Sequence, residues 1–363
     1  MSKKVTMQHI ADHMGVSKFV VSKALSGKGG VSETTREKVI QTAAQLGYFS
    51  PSKPVLAGQA QDSPAWFGDP AKQSVLVLMP NIRFQTRESL YWGRILEGIS
   101  TRLEEYGLGY MLIAEQSNEH FLQILNPKGI RGLIGVGEIS SPILLDVHRA
   151  GLPFVLVDHE DSLIPSDTVF VNNYDCIHRL TKHLIAIGHK RLVFVGNIRY
   201  SRSFYDRWLG FRSALEEQGL DTGAGSEKAN LLHLEGSGSF VGQMTTALTG
   251  LRKKGELPSA FVCANDIIAV QLLDALAGLD IRVPDDVSVS GFDNIEKAYE
   301  ALPPLTTVHV PKEALGRRAV ERLEARIRHR QEPAEKLLLG GEVIYRESTA
   351  PPREGGSKKD TSL

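Results

Sequence analysis

The chain has 363 residues, of which 42% are hydrophobic and 23% charged, and its 42 basic residues balance 42 acidic ones. This composition is typical of a soluble globular protein with two or three domains. No apolar run approaches membrane-spanning length and the N-terminus lacks the apolar core of a signal peptide, so we expect a cytoplasmic protein. Cys176 and Cys263 are far apart, which argues against a disulfide framework and a cysteine zinc site.

The first predicted elements are two short helices joined by a tight turn, between Val5 and Leu25. Thr6 and Ser17 are good N-cap residues, and Gly15 can adopt the left-handed conformation that ends a helix. Val20, Val21, Ala24 and Leu25 form the inward face of the second helix, and Lys18, Phe19, Ser22 and Lys23 point outward. This pattern predicts a helix-turn-helix, whose second helix enters the DNA major groove. An ordinary helical hairpin is the alternative.

A third short helix and an excess of positive charge favour DNA binding. Ser32 caps the third helix, and its apolar face consists of Val39, Ile40, Ala43, Ala44 and Leu46. Residues 1–50 contain seven Lys or Arg residues and three Asp or Glu residues, whereas the whole chain has no net charge. Local positive charge on a neutral protein is typical of a phosphate-binding end.

After the headpiece, a linker leads into alternating strands and helices. Residues 49–73 contain four prolines and many small or polar residues. Apolar runs then predict strands at 75–81, 110–115, 131–138, 152–160, 191–197, 229–235, 260–266 and 286–293. Helices are predicted from Trp92 to Leu103 and over 175–187, 207–218, 240–253 and 267–278. Two successive α/β units of similar size predict two doubly wound parallel-sheet lobes. The tail at 351–363 is expected to be disordered.

Ligands of open α/β sheets bind beyond the carboxyl ends of the strands. The polar residues at those ends are Asn81, Glu115, Glu138, Asp158, Asn197, Asn265 and Asp293. Such carboxylates and amides suit a polyhydroxylated ligand. Arg207 opens the predicted helix after VGN and can direct two donors toward a ligand, while Tyr91 and Trp92 can stack on a sugar ring.

Several of these residues have simpler explanations. Asp266 is expected to cap its helix, Asp158 could be a turn residue, and Trp92 could belong to the core. The acidic and histidine residues at 158–161 fit a solvated loop better than a metal site. No nucleophile elbow and no Walker or dinucleotide-binding glycine pattern is present, so we expect no enzyme activity and no cofactor.

The segment VTMQHIADHMGVSKFVVSKALSG, followed by VSETTREKVIQTAAQLGY, resembles the headpiece of the LacI/GalR (lactose repressor) family. The resemblance implies that Lys18, Phe19 and Lys23 read bases. It implies that Thr6, Ser17, Ser22, Ser32 and Thr35 also belong to the DNA-binding surface, chiefly through phosphate contacts. Lys23 can donate to guanine acceptors. Phe19 could touch a thymine methyl group or simply pack.

The body resembles the effector-binding core of the same family, which has the fold of type I periplasmic sugar-binding proteins. The sequence segments that carry this resemblance are AFVCANDIIAVQLL, IRVPDDVSVSGFDNIEKAYEALPPLTTVHVPKEALGRRAVERL and YRESTAPP. The resemblance assigns effector contacts to Tyr91, Trp92, Asp158, Arg207, Asn265 and Asp293. An aromatic residue often found in the family is missing at Ser237, and Phe240 is a candidate replacement.

The family topology implies where the domains divide. We expect a headpiece over 1–50, a linker over 51–73 and an effector-binding and dimerisation core over 74–350. The chain would cross between lobes near 172, 300 and 325, so that the N-terminal lobe contains 74–172 and 302–325. The C-terminal lobe would then contain 173–300 and 326–350.

The linker departs from the family pattern. The family has a hinge helix here that inserts a leucine into the minor groove. In this sequence Pro54 would interrupt such a helix, and the usual Ala-Arg-x-Leu motif is missing. Leu56 is the remaining candidate for the inserted residue.

Together these features predict a repressor that binds a near-palindromic operator as a homodimer. Its effector would be a small molecule, a sugar or a sugar derivative, bound between the lobes. The main alternative is a ligand sensor of the same fold without specific DNA binding, which the unusual linker and Val20 would allow, since the family commonly has a hydroxyl there. An enzyme on the same scaffold is the other alternative.

Overall fold

The computed structural model of the protein describes residues 6–26, 32, 35, 38–39, 42, 74–79, 91–113, 129–220, 230–236 and 239–353. In chain order its helices are α1 Met7–Met14, α2 Lys18–Ser26, α3 Trp92–Glu105, α4 Ser141–Arg149, α5 Asn173–Ala186, α6 Arg202–Glu217, α7 Val241–Lys254, α8 Asp266–Ala277, α9 Glu296–Glu300 and α10 Lys312–Arg328. Its strands are β1 Ser74–Leu78, β2 Gly109–Ile113, β3 Ile130–Val136, β4 Phe154–Val157, β5 Asp167–Val171, β6 Leu192–Gly196, β7 Leu231–His233, β8 Ala260–Cys263, β9 Ser288–Ser290, β10 Thr307–His309, β11 Lys336–Leu339 and β12 Glu342–Ile344. Across these ranges, none of the helices combines the length and the apolar character that a membrane crossing needs.

The headpiece forms the two helices and the turn that the sequence predicts. The Thr6 side chain accepts a hydrogen bond from the backbone N–H of His9, and the His9 ring accepts one from the backbone N–H of Thr6. Gly15 ends α1 with φ of 64°. The buried side chains of the headpiece are Ile10, Ala11, Val21, Ala24 and Val39. The remaining predicted apolar positions lie outside the described side chains, namely Leu25, Ile40, Ala43, Ala44 and Leu46.

The first lobe is a six-stranded parallel sheet with strand order β11-β5-β4-β3-β1-β2. Successive residues of a strand point to opposite faces, so the sheet is covered on both sides. Val75 and Val77 of β1 join the cluster that contains residues of α3 and α10, and Leu76 and Leu78 join the cluster that contains residues of α4. The sequence did not predict α4 or β5, although both are regular elements of this lobe.

Helices α3 and α10 approach closely because both carry glycine at the contact. A Cβ atom on Gly316 would lie 2.1 Å from the carbonyl oxygen of Ile95, and one on Gly98 would lie 2.0 Å from that of Glu313. Any side chain at these positions would therefore push the two helix backbones apart.

The second lobe is a four-stranded parallel sheet with strand order β7-β6-β8-β9. Helices α5 and α6 pack together beside it, as do α7 and α8. Large buried side chains of this lobe include Phe194, Phe211 and Phe261. Its strands and most of its helices confirm the predicted second α/β unit.

The chain crosses between the lobes three times, and the third crossing differs from the prediction. The first crossing follows β5, near residue 172, as expected. The antiparallel pair β10 and β12 marks the other two. Because β11 pairs with β5 in the first sheet, the expected return to the second lobe near 325 is wrong. The chain returns to the second lobe only after Leu339, fourteen residues later than expected. The additional residues include β11, the edge strand of the first sheet.

Candidate functional site

Two aspartates mark the cleft, one from each lobe. Asp158 directly follows β4 of the first sheet, and Asp293 lies just after β9 of the second. Both have positive φ, 56° for Asp158 and 106° for Asp293. Non-glycine residues rarely adopt this conformation, and backbone strain of this kind clusters at functional sites. The strand-end rule thus brings together two residues that are 135 positions apart in the chain.

Arg207 is placed in the cleft wall but does not project freely toward a ligand. Its side chain is 2% exposed. Helix α6 begins at Arg202, so Arg207 falls in the second turn. Its guanidinium donates to Asn173 Oδ1 at 2.8 Å, to the carbonyl oxygen of Ala264 at 2.6 Å and to Asp293 Oδ1 at 3.3 Å. The sequence-based expectation that Arg207 opens this helix is therefore wrong.

A hydrogen bond between side chains joins the two lobes across the cleft. Ser203, in the first turn of α6, donates to Oδ1 of Asp158. The amide of Asn173 donates to Ser203 Oγ at 3.1 Å and to the carbonyl oxygen of Val171 at 3.2 Å. Asn173 thus links Arg207 on one side with the Ser203–Asp158 pair on the other.

Burial raises the pKa of both cleft carboxyls. For Asp158 the loss of solvent raises the pKa to about 6, against the opposing effects of the Ser203 hydrogen bond and the Arg207 charge. For Asp293 burial again raises the pKa, and the charges of Arg207 and Lys312 lower it. Burial also raises the pKa of Tyr91 well above its usual value, and the charges of Asp158 and Asp293 raise it further.

Lys312 supplies a second buried cation. Its Nζ donates to the backbone oxygens of Asp293, Asn294 and Val310, and its side chain is almost completely buried. Burial lowers its pKa, while the charges of Asp293 and Asp266 raise it. The ring of Tyr91 lies 5.9 Å from Nζ. Lys312 therefore connects the start of α10 to the loop that carries Asp293.

The residue that caps α8 is Asn265 and not Asp266. The Asn265 side chain accepts from the backbone N–H of Ile268 at 2.9 Å. Asp266 instead is buried, and its two oxygens accept from the Thr307 hydroxyl at 2.6 Å and from the backbone N–H of Ile295 at 2.9 Å. Burial is the main reason that its pKa rises to about 7. Asn265 remains half-buried at the edge of the cleft.

The two aromatic residues before α3 differ in their surroundings. Their rings meet edge to face with centroids 4.9 Å apart. The Tyr91 hydroxyl is buried and has no hydrogen-bond partner among the described residues. Trp92 packs partly against the core, and a Cβ on Gly137 would lie 3.3 Å from its ring. Trp92 therefore has a packing role whether or not it contacts a ligand.

Two of the remaining strand-end candidates, Glu138 and Asn197, lie in the described ranges. Glu138 is exposed, and Asn197 uses its side-chain oxygen to accept from the backbone N–H of Arg199 at 2.9 Å. Asn81, Glu115 and Ser237 lie outside the described residues. Phe240 precedes α7, where its backbone N–H donates to Gln271. The loop at 158–161 is held by Asp161, which accepts from Ser141 and from two backbone N–H groups.

The residues predicted to contact DNA lie on the outer side of the headpiece or at helix starts. Lys18 and Ser22 are exposed, and Phe19 is 67% exposed with the Nζ of Lys23 4.9 Å from its ring centroid. Ser17 caps α2 through the backbone N–H of Val20 at 3.3 Å. Ser32 accepts from the backbone N–H of Thr35 at 3.3 Å, and their hydroxyls lie 2.8 Å apart. Leu56 lies outside the described residues.

Three residues of the cleft were not predicted from the sequence, namely Asn173, Ser203 and Lys312. A signal existed for Asn173, because it lies two residues after the apolar run TVFV, close to a strand end as Asp158 is. Ser203 and Lys312 carry no such signal, since their roles depend on contacts with distant segments. In the part of the chain that the structure describes, no group of His, Cys, Asp and Glu side chains is arranged to hold a metal ion.

Both the headpiece and the α/β body of the chain match known protein families. Residues 6–51 match the family described as "Bacterial regulatory proteins, lacI family", and residues 181–349 match a "Periplasmic binding protein-like domain". The HTH-type transcriptional repressor PurR of Vibrio cholerae serotype O1 (strain M66-2) is 28% identical, with 94% of this chain and 97% of PurR covered.

Solved structures share the fold over almost the whole chain. The transcriptional regulator CelR in complex with cellobiose is 24% identical, with a TM-score of 0.66 and coverage of 95% of this chain and 99% of CelR. The lac repressor dimer bound to operator and the anti-inducer ONPF is 23% identical, with a TM-score of 0.63 and coverage of 96% and 100%. The helix-turn-helix headpiece and the two α/β lobes are thus a known combination.

Proposed function

The chain belongs to the LacI family of bacterial regulatory proteins, and on this basis we propose that it is a transcriptional repressor controlled by a small effector. In this proposal residues 1–50 bind operator DNA, residues 51–73 are the linker, and the two lobes bind the effector in the cleft between them. The protein acts in the cytoplasm, where the DNA lies, and performs no catalytic step. Turnover of a bound sugar would contradict the last point.

The observation that carries the proposal is the outer face of α2. This helix buries Val21 and Ala24 but leaves Phe19 67% exposed beside Lys18 and Ser22. A large apolar side chain exposed among cationic and hydroxyl groups suits a surface that meets bases and phosphates together. The lac repressor dimer bound to operator has the same fold, which supports a homodimer that reads a near-palindromic site.

The cleft supports control by an effector because both lobes contribute to one hydrogen-bonded group. Asp158 from the first lobe meets Ser203 from the second, and Asn173 connects this pair to Arg207. A ligand that changes these contacts changes how the lobes close, and thus how the headpieces are presented. The fold shared with CelR in its cellobiose complex supports a sugar or sugar derivative. If the effector is an inducer, operator DNA weakens its binding by the same factor.

A salt titration tests the DNA-binding part. A duplex selected from a random library and a scrambled duplex of equal length are each titrated with the full-length protein by fluorescence anisotropy. We expect affinity for the selected duplex to fall with salt at a slope of about −0.9 per neutralised phosphate, and to exceed that for the scrambled duplex at every salt concentration. Equal affinities for the two duplexes would instead indicate a ligand sensor without specific DNA binding.

A further inference from the structure

The two buried cations of the cleft already have protein acceptors. Arg207 donates to Asn173, Ala264 and Asp293, and the Phe292 ring centroid lies 3.7 Å from its central carbon. One face of its guanidinium is therefore closed to a ligand. The ammonium of Lys312 has three N–H groups, and three backbone oxygens accept from it. The three contacts of Arg207 use three of its five N–H groups, so a phosphate or carboxylate entering the cleft could reach only the two that remain unless it displaced a protein acceptor.

Two carboxylates face the same space. The charge of Arg207 acts on both Asp158 and Asp293, whereas the two oxygens of Asp266 already accept from Thr307 and Ile295. One oxygen of Asp158 accepts from Ser203 and one oxygen of Asp293 accepts from Arg207. The second oxygen of each carboxylate has no donor among the described residues. The cleft therefore offers acceptors to a ligand, and a further negative charge would be repelled.

The Tyr91 hydroxyl adds a requirement for hydrogen bonding. It is buried without a partner in the described ranges, and the charges of both Asp158 and Asp293 act on it. A buried polar group without a partner is unfavourable, so a bound ligand that reaches it is favoured. A ligand hydroxyl can accept from Tyr91 and donate to a carboxylate at the same time.

We propose that the cleft selects sugars that are rich in hydrogen-bond donors and carry no negative charge, either neutral or amino-substituted, and discriminates against phosphorylated and acidic sugars. This inference rests on the proposed function, because it takes the cleft as the effector site. It follows from the internal pairing of Arg207 and Lys312, from the two half-occupied carboxylates and from the Tyr91 hydroxyl. Asp158 and Asp293 hold the ligand from opposite lobes.

The test uses matched sugars that differ in charge. The thermal unfolding midpoint of the full-length protein is measured with ribose and ribose 5-phosphate, with glucose, glucosamine and glucose 6-phosphate, and with cellobiose and cellobionate. We expect at least one neutral or amino sugar to raise the midpoint while its anionic counterpart does not. Asp293→Ala should remove the increase, and Arg212→Ala, on the exposed side of the same α6, should retain it. An anionic sugar that raises the midpoint as much as its counterpart, or a panel without a neutral or amino binder, overturns the inference.

A second measurement separates this inference from the proposed function. Each sugar is added to the complex of the protein with its selected duplex, and release of the duplex is followed by anisotropy. If an anionic sugar releases the duplex from the wild type but not from Asp293→Ala, the cleft is the effector site and only the ligand class is wrong. If the protein shows no preference for the selected duplex, the proposed function fails, whatever the sugars do to the unfolding midpoint. For a confirmed neutral ligand, Asp158→Asn should reduce the preference over its anionic counterpart by at least about tenfold.

Discussion

Arg207 and Asp293 form an ion pair in which Nη2 lies 3.3 Å from Oδ1, and this pair joins α6 to the loop after β9. The arginine side chain is 2% exposed and that of the aspartate 13%. Because Arg207 also holds Asn173 and the carbonyl oxygen of Ala264, it fixes three segments of the second lobe around one guanidinium. The main role of Arg207 in the structure is thus to position the cleft wall. Of the two side chains, that of Asp293 is the more accessible to a ligand.

We predict that Arg207→Lys lowers both stability and ligand affinity. Lysine retains the charge but lacks the planar fork, so at least one of the three buried acceptors would be left without a donor. The expected loss in the free energy of unfolding is about 1–3 kcal/mol, measured by urea denaturation. Arg212→Lys is the matched control, because Arg212 lies on the same helix in an exposed pair with Glu216. Equal losses in both variants would show that the buried contacts of Arg207 do not matter.

We predict that Lys23→Ala lowers affinity for the selected duplex more than affinity for random DNA. Its Nζ lies 4.9 Å from the ring centroid of the exposed Phe19, on the outer face of α2. Loss of a base contact costs about 1–3 kcal/mol, roughly 5- to 150-fold in affinity. Lys254→Ala, which removes the same charge from the end of α7, should change neither affinity. If Lys23→Ala reduces both affinities by the same factor, Lys23 contacts only phosphate.

We predict that Gly316→Ala destabilises the first lobe, whereas Gly250→Ala does not. The new methyl at Gly316 would lie 2.1 Å from the Ile95 carbonyl oxygen and 2.7 Å from the Ile99 nitrogen, both of them backbone atoms. Separating α3 from α10 should cost at least about 1–3 kcal/mol in the free energy of unfolding. Gly250 lies within α7, and among the described residues no atom outside the adjoining backbone of that helix lies within 4 Å of such a methyl, so alanine there should stabilise by up to ~1 kcal/mol. Denaturation of both variants checks the pair, and a neutral Gly316→Ala would contradict the close approach of the helices.

We predict that Asp266 makes the protein more stable as the pH falls toward 5. Its pKa rises from 3.8 to about 7 in the folded protein, chiefly through burial and then through the charge of Asp293. Between about pH 4 and 7 the folded state therefore binds more protons at this site than the unfolded state, and the free energy of unfolding falls as the pH rises through this window. Asp158, with a pKa of about 6, acts in the same direction over a narrower range.

The measurement compares urea denaturation of the wild type and Asp266→Asn at about pH 7.5 and about pH 5. The variant loses one of the hydrogen bonds from Thr307 or Ile295 at either pH, and its deficit should be larger at the lower pH. Asp274→Asn, at an exposed position of the same α8, serves as the control and should follow the wild type. A deficit that stays constant or shrinks on acidification would rule out a protonated Asp266 in the folded state.

The sequence predicted the parts of this fold that depend on local pattern. The caps at Thr6 and Ser17 and the glycine stop at Gly15 follow from local geometry, and all three are confirmed. The strand-end rule placed Asp158 and Asp293 on facing lobes because parallel strands end at one edge of a sheet. These predictions needed no knowledge of which distant segments would meet.

The surroundings of Arg207 could not be read from local pattern. Its partners Asn173, Ala264 and Asp293 lie 34, 57 and 86 residues away in the chain. The residues paired between β11 and β5 lie still farther apart in the chain, so the return of the chain after Leu339 depends on a long-range contact. The strand ends indicate where polar side chains lie, and their hydrogen-bond partners decide whether such a side chain faces a ligand or the protein.

The late position of β11 and α10 sets an order for folding during synthesis. A ribosome that has made residues up to Val171 has produced five of the six strands of the first sheet. The helix that contributes Leu315 and Leu323 to its core emerges only after all four strands of the second sheet. Both lobes therefore depend on segments that are made late, because Ser348 hydrogen-bonds to Val289 of β9 in the second lobe. While the strands of the second sheet are being made, the apolar face of the nascent first lobe lacks the part of its cover that α10 provides.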